Sequence, residues 1–409
     1  MATCYCPTCL NTFTGAPARC PNLGCGRERP GQGWGRILEA GDLIDRHYRV
    51  DRVLALGGAG LTYLCRAVDG SGRPVPPELA VKVLFAERAT GAYLRRLANE
   101  AQILQDLDHD HIVRCRGFVQ RAGQPPYLVT LFEAGGTLQQ HVRQVGPLPA
   151  PVAAGVLVQV LKGLSMAHSA GVVHRDLKPA NVLLHAPCGR AETPWVRVAD
   201  FGIAKAEAPI GAGLTQAGVF VGTPEYAAPE QYEGSQPLPA TDLFAAGGLL
   251  FYLLTGRPPI QLEVRGDPLD CHERLLEQLP PRLPPGALPP AEQAALQEVL
   301  DHLALPDPGS RWAIPRIMEA LRPLAQPAER PVATAPAVPY PSAPATAPPP
   351  LLADATLLEP ALPAPAPAPP AFDLGAATLL EPAPAAAPPP PTRPQDMTLE
   401  DLFAPPPAP

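Results

Sequence analysis

The pattern of apolar and polar positions changes along the chain from short strand-like runs to longer helix-like ones. The early runs are rich in apolar and β-branched residues and predict β-strands. They lie at 47–56, 62–68, 79–84 and 127–133. Between them, 92–107 has Leu97, Ile103 and Leu104 at helical spacing, which predicts an amphipathic helix. Two longer apolar segments, 151–170 and 241–255, predict helices.

Proline use changes sharply at the C-terminal end. The chain has 59 prolines in 409 residues, and they crowd past residue 326 in alternation with alanine. Such a sequence favours the extended polyproline II conformation and cannot bury a core. We therefore expect a disordered Pro/Ala-rich tail over 326–409.

Charge and hydropathy argue against several functions. The formal net charge is −7, whereas non-specific nucleic-acid binding needs a basic surface. No window of about 20 apolar residues indicates a membrane span. The N-terminus has neither the basic start nor the apolar run of a signal peptide. These features predict a cytoplasmic protein with no membrane span and no nucleic-acid partner.

Five of the nine cysteines lie within the first 25 residues. In a reducing compartment, clustered cysteines indicate metal ligands rather than disulfides. Cys6 and Cys9 form one knuckle and Cys20 and Cys25 a second, with Pro and Gly at the turns. Four thiolates so arranged suit tetrahedral Zn²⁺, and the metal would supply folding energy that a segment as short as 1–30 cannot obtain from a core.

The extra cysteine, Cys4, leaves the ligand set open. Cys4 with Cys9 would repeat the wider spacing of the second knuckle, whereas Cys6 with Cys9 gives the tighter knuckle, which we favour. Unliganded thiols or an iron–sulfur cluster are the alternatives. We expect a zinc-ribbon-like segment with a protein-contact or regulatory role, joined to the next domain by a linker over 31–46.

Three short motifs follow one another in a fixed order in the middle of the chain. They are His174-Arg175-Asp176-Leu177-Lys178-Pro179-Ala180-Asn181, Asp200-Phe201-Gly202 and Ala228-Pro229-Glu230. Each is common by chance, but the set in this order and spacing is not. Together they resemble the HRDLKxxN, DFG and APE elements of protein kinases. The chain thus resembles the eukaryotic-like (Hanks-type) Ser/Thr protein kinases of bacteria. This resemblance implies an α+β fold, with a two-lobed kinase domain over 47–325 that has a β-rich N-lobe and a helical C-lobe.

The resemblance implies transfer of the ATP γ-phosphate to Ser/Thr hydroxyls of proteins. Such transfer needs in-line positioning and cancellation of charge. Asp176 matches the family's base, and Lys178 matches the point charge near the transferring phosphate. Asn181 and Asp200 match the positions that hold Mg²⁺ (or Mn²⁺) through hard oxygen ligands. We therefore expect ATP and Mg²⁺ as cofactors and proteins as substrates.

The same resemblance implies the nucleotide-binding residues. The segment 54–62 resembles the Gly-rich loop, although Ala55 and Thr62 replace a glycine and a valine of the family pattern. Lys82 matches the lysine that binds the α- and β-phosphates, and Glu100 matches its partner on the following helix. The implied nucleotide site consists of Leu54, Ala55, Leu56, Gly57, Gly58, Ala59, Gly60, Leu61, Thr62, Ala80, Lys82, Thr130, Leu131, Glu133 and Leu183.

Other family positions concern regulation and scaffolding. Thr215 is the one hydroxyl residue in 203–221, so it is the candidate activating phosphorylation site, and its phosphate would pair with Arg175. Thr223 matches a threonine that touches the base. Asp242 matches a buried aspartate that holds the catalytic-loop backbone, or it is a plain helix N-cap.

The resemblance also implies an ion pair between Arg311 and Glu230.

Two other functional classes remain as alternatives. A pseudokinase scaffold is disfavoured because no catalytic position is lost. A small-molecule phosphotransferase is disfavoured because 222–230 resembles the segment on which protein kinases dock their peptide substrates.

The tail contains a repeat. The sequence 355–360 (ATLLEP) recurs at 377–382, and a weaker copy lies at 397–403. Repeated apolar patches on an extended spacer predict short docking motifs for a partner. Compositional drift and phosphorylated threonines read by a phosphothreonine-binding domain are the alternatives.

Overall fold

The computed structural model describes most of the chain up to residue 331. The described residues are 3–6, 11–15, 17–22, 25, 27–30, 35–57, 60–85, 91–121, 124–201, 224–236, 238–261 and 268–331. All of them belong to one compact unit, 1–345, and none belongs to the second unit, 346–409. The predicted tail repeats therefore lie outside the described residues.

A small antiparallel sheet begins the chain. Its strands are Thr3–Tyr5 (β1), Thr12–Thr14 (β2) and Gly35–Arg36 (β3), with β1 in the centre. The Tyr5 ring lies 5.0 Å from the Phe85 ring between centroids, and Ile37 and Leu38 pack against the same apolar cluster as Tyr5. Tyr5 also covers Gly35, where any side chain would overlap its ring. These contacts hold the small sheet against the larger one that follows.

The larger sheet has six antiparallel strands. They are Leu43–Ile44 (β4), Tyr48–Gly57 (β5), Gly60–Val68 (β6), Pro74–Leu84 (β7), Cys115–Val119 (β8) and Tyr127–Leu131 (β9), in the order β4-β5-β6-β7-β9-β8. Residues such as Val50, Tyr63, Val81 and Val129 point to one side and form a buried cluster. The helix Gly91–Asp106 (α1) follows β7 in the chain.

The second half is mainly helical. Its helices are Leu138–Val145 (α2), Ala150–Ser169 (α3), Pro229–Tyr232 (α4), Pro239–Thr255 (α5), Pro268–Glu277 (α6), Pro290–Leu303 (α7) and Ile314–Leu321 (α8). A two-stranded sheet of Val182–Leu184 (β10) and Val196–Val198 (β11) lies between α3 and α4 in the chain. Both α3 and α5 are buried nearly all round, as expected for helices that are apolar on every face.

One described helix, α3, has the length and composition of a membrane span, but 72% of its most apolar window is buried inside the protein. Its packing requires a glycine on one face. A side chain at Gly163 would bring a Cβ to 2.6 Å from the His111 carbonyl oxygen. The apolar composition of α3 is therefore explained by the core it occupies.

The strand-rich first part and the helical second part confirm the α+β two-lobed fold. The predicted elements agree with the observed ones to within a few residues. The exception is β7, which begins at Pro74, five residues earlier than predicted. The segment 31–46, predicted as a linker, contributes β3 and β4. At the other end, Gln326 donates its backbone N–H to the Pro151 carbonyl oxygen. The first residues of the predicted tail thus lie against α3.

Candidate active site

A cavity of about 360 Å³ lies between the six-stranded sheet and the helical part. Most of the residues predicted to bind a nucleotide line it. They are Leu54, Ala55, Thr62, Ala80, Lys82, Thr130, Leu131, Glu133 and Leu183, and Asp200 lies in the same wall. The cavity is therefore formed by strands β5 to β7, by β9 and the segment that follows it, and by β10.

Other members of the predicted loop do not line the cavity. The side chain of Leu61 is buried in the core of the six-stranded sheet. Gly57 and Gly60 face each other as the last pair of the β5–β6 hairpin, and a side chain at Gly60 would overlap the Val83 carbonyl oxygen. Gly58 and Ala59 lie outside the described residues.

Several lining residues were not predicted from the sequence. They are mostly apolar and include Leu104, Val113, Cys115, Leu128, Val198 and Phe201. Burial raises the pKa of the Cys115 thiol to about 11, so it is a neutral wall group. Phe201 belongs to the Asp200-Phe201-Gly202 motif, but the others follow the periodicity of ordinary core residues, so no sequence signal marks them as cavity residues.

The catalytic-loop residues converge at one point. The Lys178 ammonium donates to Asp176 Oδ2 at 2.9 Å. The Asn181 side-chain amide donates to the Asp176 carbonyl oxygen at 2.8 Å and approaches Oδ2 at 3.3 Å. Because Asn181 uses its amide nitrogen for these contacts, its amide oxygen is the atom left to face a cation.

Asp242 holds the backbone of this loop. Its carboxylate accepts hydrogen bonds from the backbone N–H groups of His174 and Arg175, both at 2.8 Å, and lies 2.7 Å from His168 Nε2. The Asp242 side chain is almost fully buried. This contact set is what the resemblance implied, and a plain N-cap role does not account for it.

His174 is a neutral ring inside this scaffold. Its Nε2 lies 2.8 Å from the Ala199 carbonyl oxygen, so Nε2 carries the proton, while Nδ1 accepts from the Asp176 backbone N–H. Burial lowers the pKa of His174 and outweighs the nearby carboxylates. The ring thus links the catalytic loop to the strand end that carries Asp200.

Lys82 and Asp200 form an ion pair across the cavity. Lys82 Nζ lies 2.9 Å from Asp200 Oδ1. Burial acts to raise the pKa of Asp200, but the charge and hydrogen bond of Lys82 outweigh it, so the pKa lies below its usual value and the carboxylate is ionised. The backbone φ of Asp200 is +55° and that of Arg175 is +66°, left-handed values that a scaffold must impose on non-glycine residues. The Glu100 side chain lies outside the described part, so its pairing with Lys82 stays a prediction.

The predicted contact of Arg311 with Glu230 is present and buried. Arg311 Nη1 and Nη2 donate to the two Glu230 oxygens at 2.7 and 2.8 Å, and the Thr241 hydroxyl donates to Oε1 at 2.9 Å. This pair fixes α4 against the segment before α8. Thr215 and Thr223 lie outside the described residues.

A second cluster lies in the N-terminal sheet. The sulfur atoms of Cys6, Cys20 and Cys25 are all within 4.8 Å of one another, and Cys6 Sγ is 3.8 Å from Cys25 Sγ. Cys9 lies outside the described residues. Cys4 lies in β1, and the described triad does not include it.

The family model for the protein kinase domain matches residues 48–321. Serine/threonine-protein kinase Pkn1 of Myxococcus xanthus is 38% identical over 309 residues, which are 73% of this chain and 42% of that protein. Serine/threonine-protein kinase PkaA of Streptomyces coelicolor is 39% identical over 225 residues, or 53% of this chain and 40% of that protein. Serine/threonine-protein kinase PknB of Mycobacterium tuberculosis is 34% identical over 221 residues, or 53% of this chain and 33% of that protein. In each case the match spans less than half the length of the relative.

Proposed function

This chain belongs to the protein kinase family, and we propose that it is a Ser/Thr protein kinase that transfers the γ-phosphate of ATP to Ser/Thr hydroxyls of proteins. The observation that carries the proposal is the convergence of Asp176, Lys178 and Asn181 at one point. The nearby cavity contains the Lys82–Asp200 ion pair. The names of the relatives support the same reaction class.

Each of these side chains has a role in the proposed reaction. Asp176 accepts the proton of the attacking hydroxyl, and the Lys178 charge beside it stabilises the transferring phosphate. Lys82 binds the α- and β-phosphates. The Asp200 carboxylate and the Asn181 amide oxygen are hard donors that fit Mg²⁺ or Mn²⁺, which neutralises charge on the triphosphate.

Radiolabelled ATP tests the reaction class. The purified chain should label a Ser/Thr-containing protein such as casein, and acid hydrolysis should return phosphoserine or phosphothreonine. Label that appears only on small-molecule hydroxyls would favour the phosphotransferase alternative. Nucleotide binding with no transfer to any acceptor would favour the pseudokinase alternative.

We propose in addition that Cys6, Cys9, Cys20 and Cys25 hold one structural Zn²⁺. Four sulfurs at about 2.3 Å from a tetrahedral metal lie about 3.8 Å from one another. The separation of Cys6 Sγ and Cys25 Sγ, 3.8 Å, fits that geometry, and Cys6 and Cys20 are buried beside it. A disulfide would bring two sulfurs to about 2.05 Å, which this pair does not approach.

Activation by autophosphorylation at Thr215 is part of the same proposal. A phosphate there would pair with Arg175 and order the segment that carries it. Since one hydrogen bond to a charged group contributes about 1.5–3 kcal/mol, we expect Thr215→Ala to lower activity about tenfold or more. Peptide mass spectrometry should find Thr215 modified in active enzyme. Full activity of the variant, or an unmodified Thr215 in active enzyme, would contradict this.

The tail repeats are proposed as docking motifs for a protein partner. Changing Leu357, Leu358, Leu379 and Leu380 to alanine together should reduce partner capture steeply, because two motifs on one flexible spacer act with avidity. Changing one copy should reduce it modestly. If the quadruple variant recovers the same partners as the wild type in a quantitative pull-down, the repeats are not docking motifs and the tail acts only as a spacer.

We propose the cytoplasm as the site of action. ATP is the proposed substrate, and thiols such as those of Cys6 and Cys20 remain reduced there and available to a metal. Oxidised cysteines in protein extracted under alkylating conditions would contradict this location.

A further inference from the structure

Glu133 is a buried charge at the edge of the proposed nucleotide cavity. Its side chain is 2% exposed. Arg197 Nη1 donates to both carboxylate oxygens, at 2.7 Å to Oε1 and 2.8 Å to Oε2, and His185 Nδ1 lies 3.0 Å from Oε2. The acid is thus fully engaged by groups from the helical part of the protein.

Arg197 connects this acid to several segments at once. It lies in β11, three residues before Asp200. Its Nε donates to the Asp110 carbonyl oxygen at 3.1 Å. His185 directly follows β10, in which Leu183 lines the cavity. The Glu133–Arg197 ion pair therefore connects the segment after β9 to β11, the strand that leads to Asp200. The contact with His185 connects the same segment to the end of β10.

The position does not require a charge for packing. A buried carboxylate is costly unless it is paired, and an apolar side chain of similar volume fills such a site without that cost. A buried ion pair with a two-oxygen contact supplies a defined geometry rather than net stability. The Glu133 backbone N–H donates to no described residue. Glu133 lines the cavity, so among the described residues nothing competes with a ligand for this N–H.

We propose that the Glu133–Arg197 pair positions the backbone of 131–133 relative to β10 and β11, which line the cavity. The pair thereby sets the affinity for the adenine ring of ATP. This inference rests on the proposed kinase function. Neither side chain touches the reacting atoms, which lie near Asp176. The pair therefore acts on the KM for ATP and leaves kcat nearly unchanged.

The double variant E133M/R197M is the main test. It removes both charges together, leaves neither one buried and unpaired, and keeps side chains of similar length. We expect a thermal unfolding temperature close to that of the wild type. The KM for ATP, and the Kd for Mg-ADP by calorimetry, should rise about three- to tenfold, the equivalent of about one hydrogen bond.

Two further variants serve as an intermediate case and a control. Arg197→Lys keeps the charge but has one nitrogen, so it cannot bind Glu133 and the Asp110 carbonyl oxygen through separate donors as Nη1 and Nε do. Its KM for ATP should lie between the wild-type and double-variant values. The matched control is R282M/D301M, which makes the same kind of change at a more exposed pair of 3.0 Å that does not line the cavity. Its KM and Kd should equal those of the wild type.

The outcomes separate this inference from the function on which it rests. A wild type that binds no Mg-ADP overturns the proposed function and the positioning role with it. A wild type that binds Mg-ADP, with an unchanged KM and Kd in the folded double variant, overturns the positioning role alone. If the double variant does not fold, wild-type KM and Kd in Arg197→Lys overturn it.

Discussion

The Lys82→Met variant should fold like the wild type and transfer phosphate about a thousandfold more slowly or worse. Lys82 Nζ lies 2.9 Å from Asp200 Oδ1, and its side chain is only 19% exposed, so its charge acts in a partly desolvated cleft. Methionine keeps the length of the chain and loses the charge. The measurement is kcat/KM with radiolabelled ATP, with circular dichroism melts to verify folding.

Lys162→Met is the matched control. Lys162 lies on the exposed side of α3 and does not line the cavity. The same substitution there should leave kcat/KM unchanged. Wild-type transfer by a folded Lys82→Met variant would remove the phosphate-binding role from Lys82.

Loss of the proposed Zn²⁺ should change the structure more than any other substitution considered for this chain. We expect about one equivalent of zinc in protein purified without added metal, because apparent binding free energies of four-ligand sites are about 10–16 kcal/mol. Cys6→Ser should lose the zinc and the structure of the β1–β3 sheet. The kinase lobes should remain folded, since their cores do not depend on these thiols.

Cys4→Ser is the control within the same strand region. Cys4 lies outside the described sulfur triad, so this variant should keep its zinc. Elemental analysis distinguishes the alternatives. Iron in place of zinc would favour the iron–sulfur cluster. A metal-free protein with an intact N-terminal sheet would contradict the proposal of a structural metal.

The catalytic loop could be predicted because its determinants are local in sequence. Asp176, Lys178 and Asn181 lie within one short segment, and their hydrogen bonds join residues two to five positions apart. The two long apolar helices were also predictable, because burial on every face leaves an unbroken apolar run. For such features the local sequence is enough to predict the structure.

The Glu133 cluster could not be predicted in the same way. Its partners Arg197 and His185 are 64 and 52 residues away, and nothing in the local sequence distinguishes a buried glutamate from a solvated one. The strands β3 and β4 were missed for a related reason. Each has only two residues, so pairing with a neighbouring strand decides their conformation rather than intrinsic propensity.

We propose that this chain is a phosphoryl-transfer enzyme that uses Asp176 as its base. Transfer of label from γ-labelled ATP should be compared in wild type and Asp176→Asn at equal nucleotide saturation. Asparagine preserves the shape of the side chain but cannot accept the proton, so we expect normal Mg-ATP binding and a loss of transfer by about a thousandfold or more. Near-normal transfer by Asp176→Asn would contradict it.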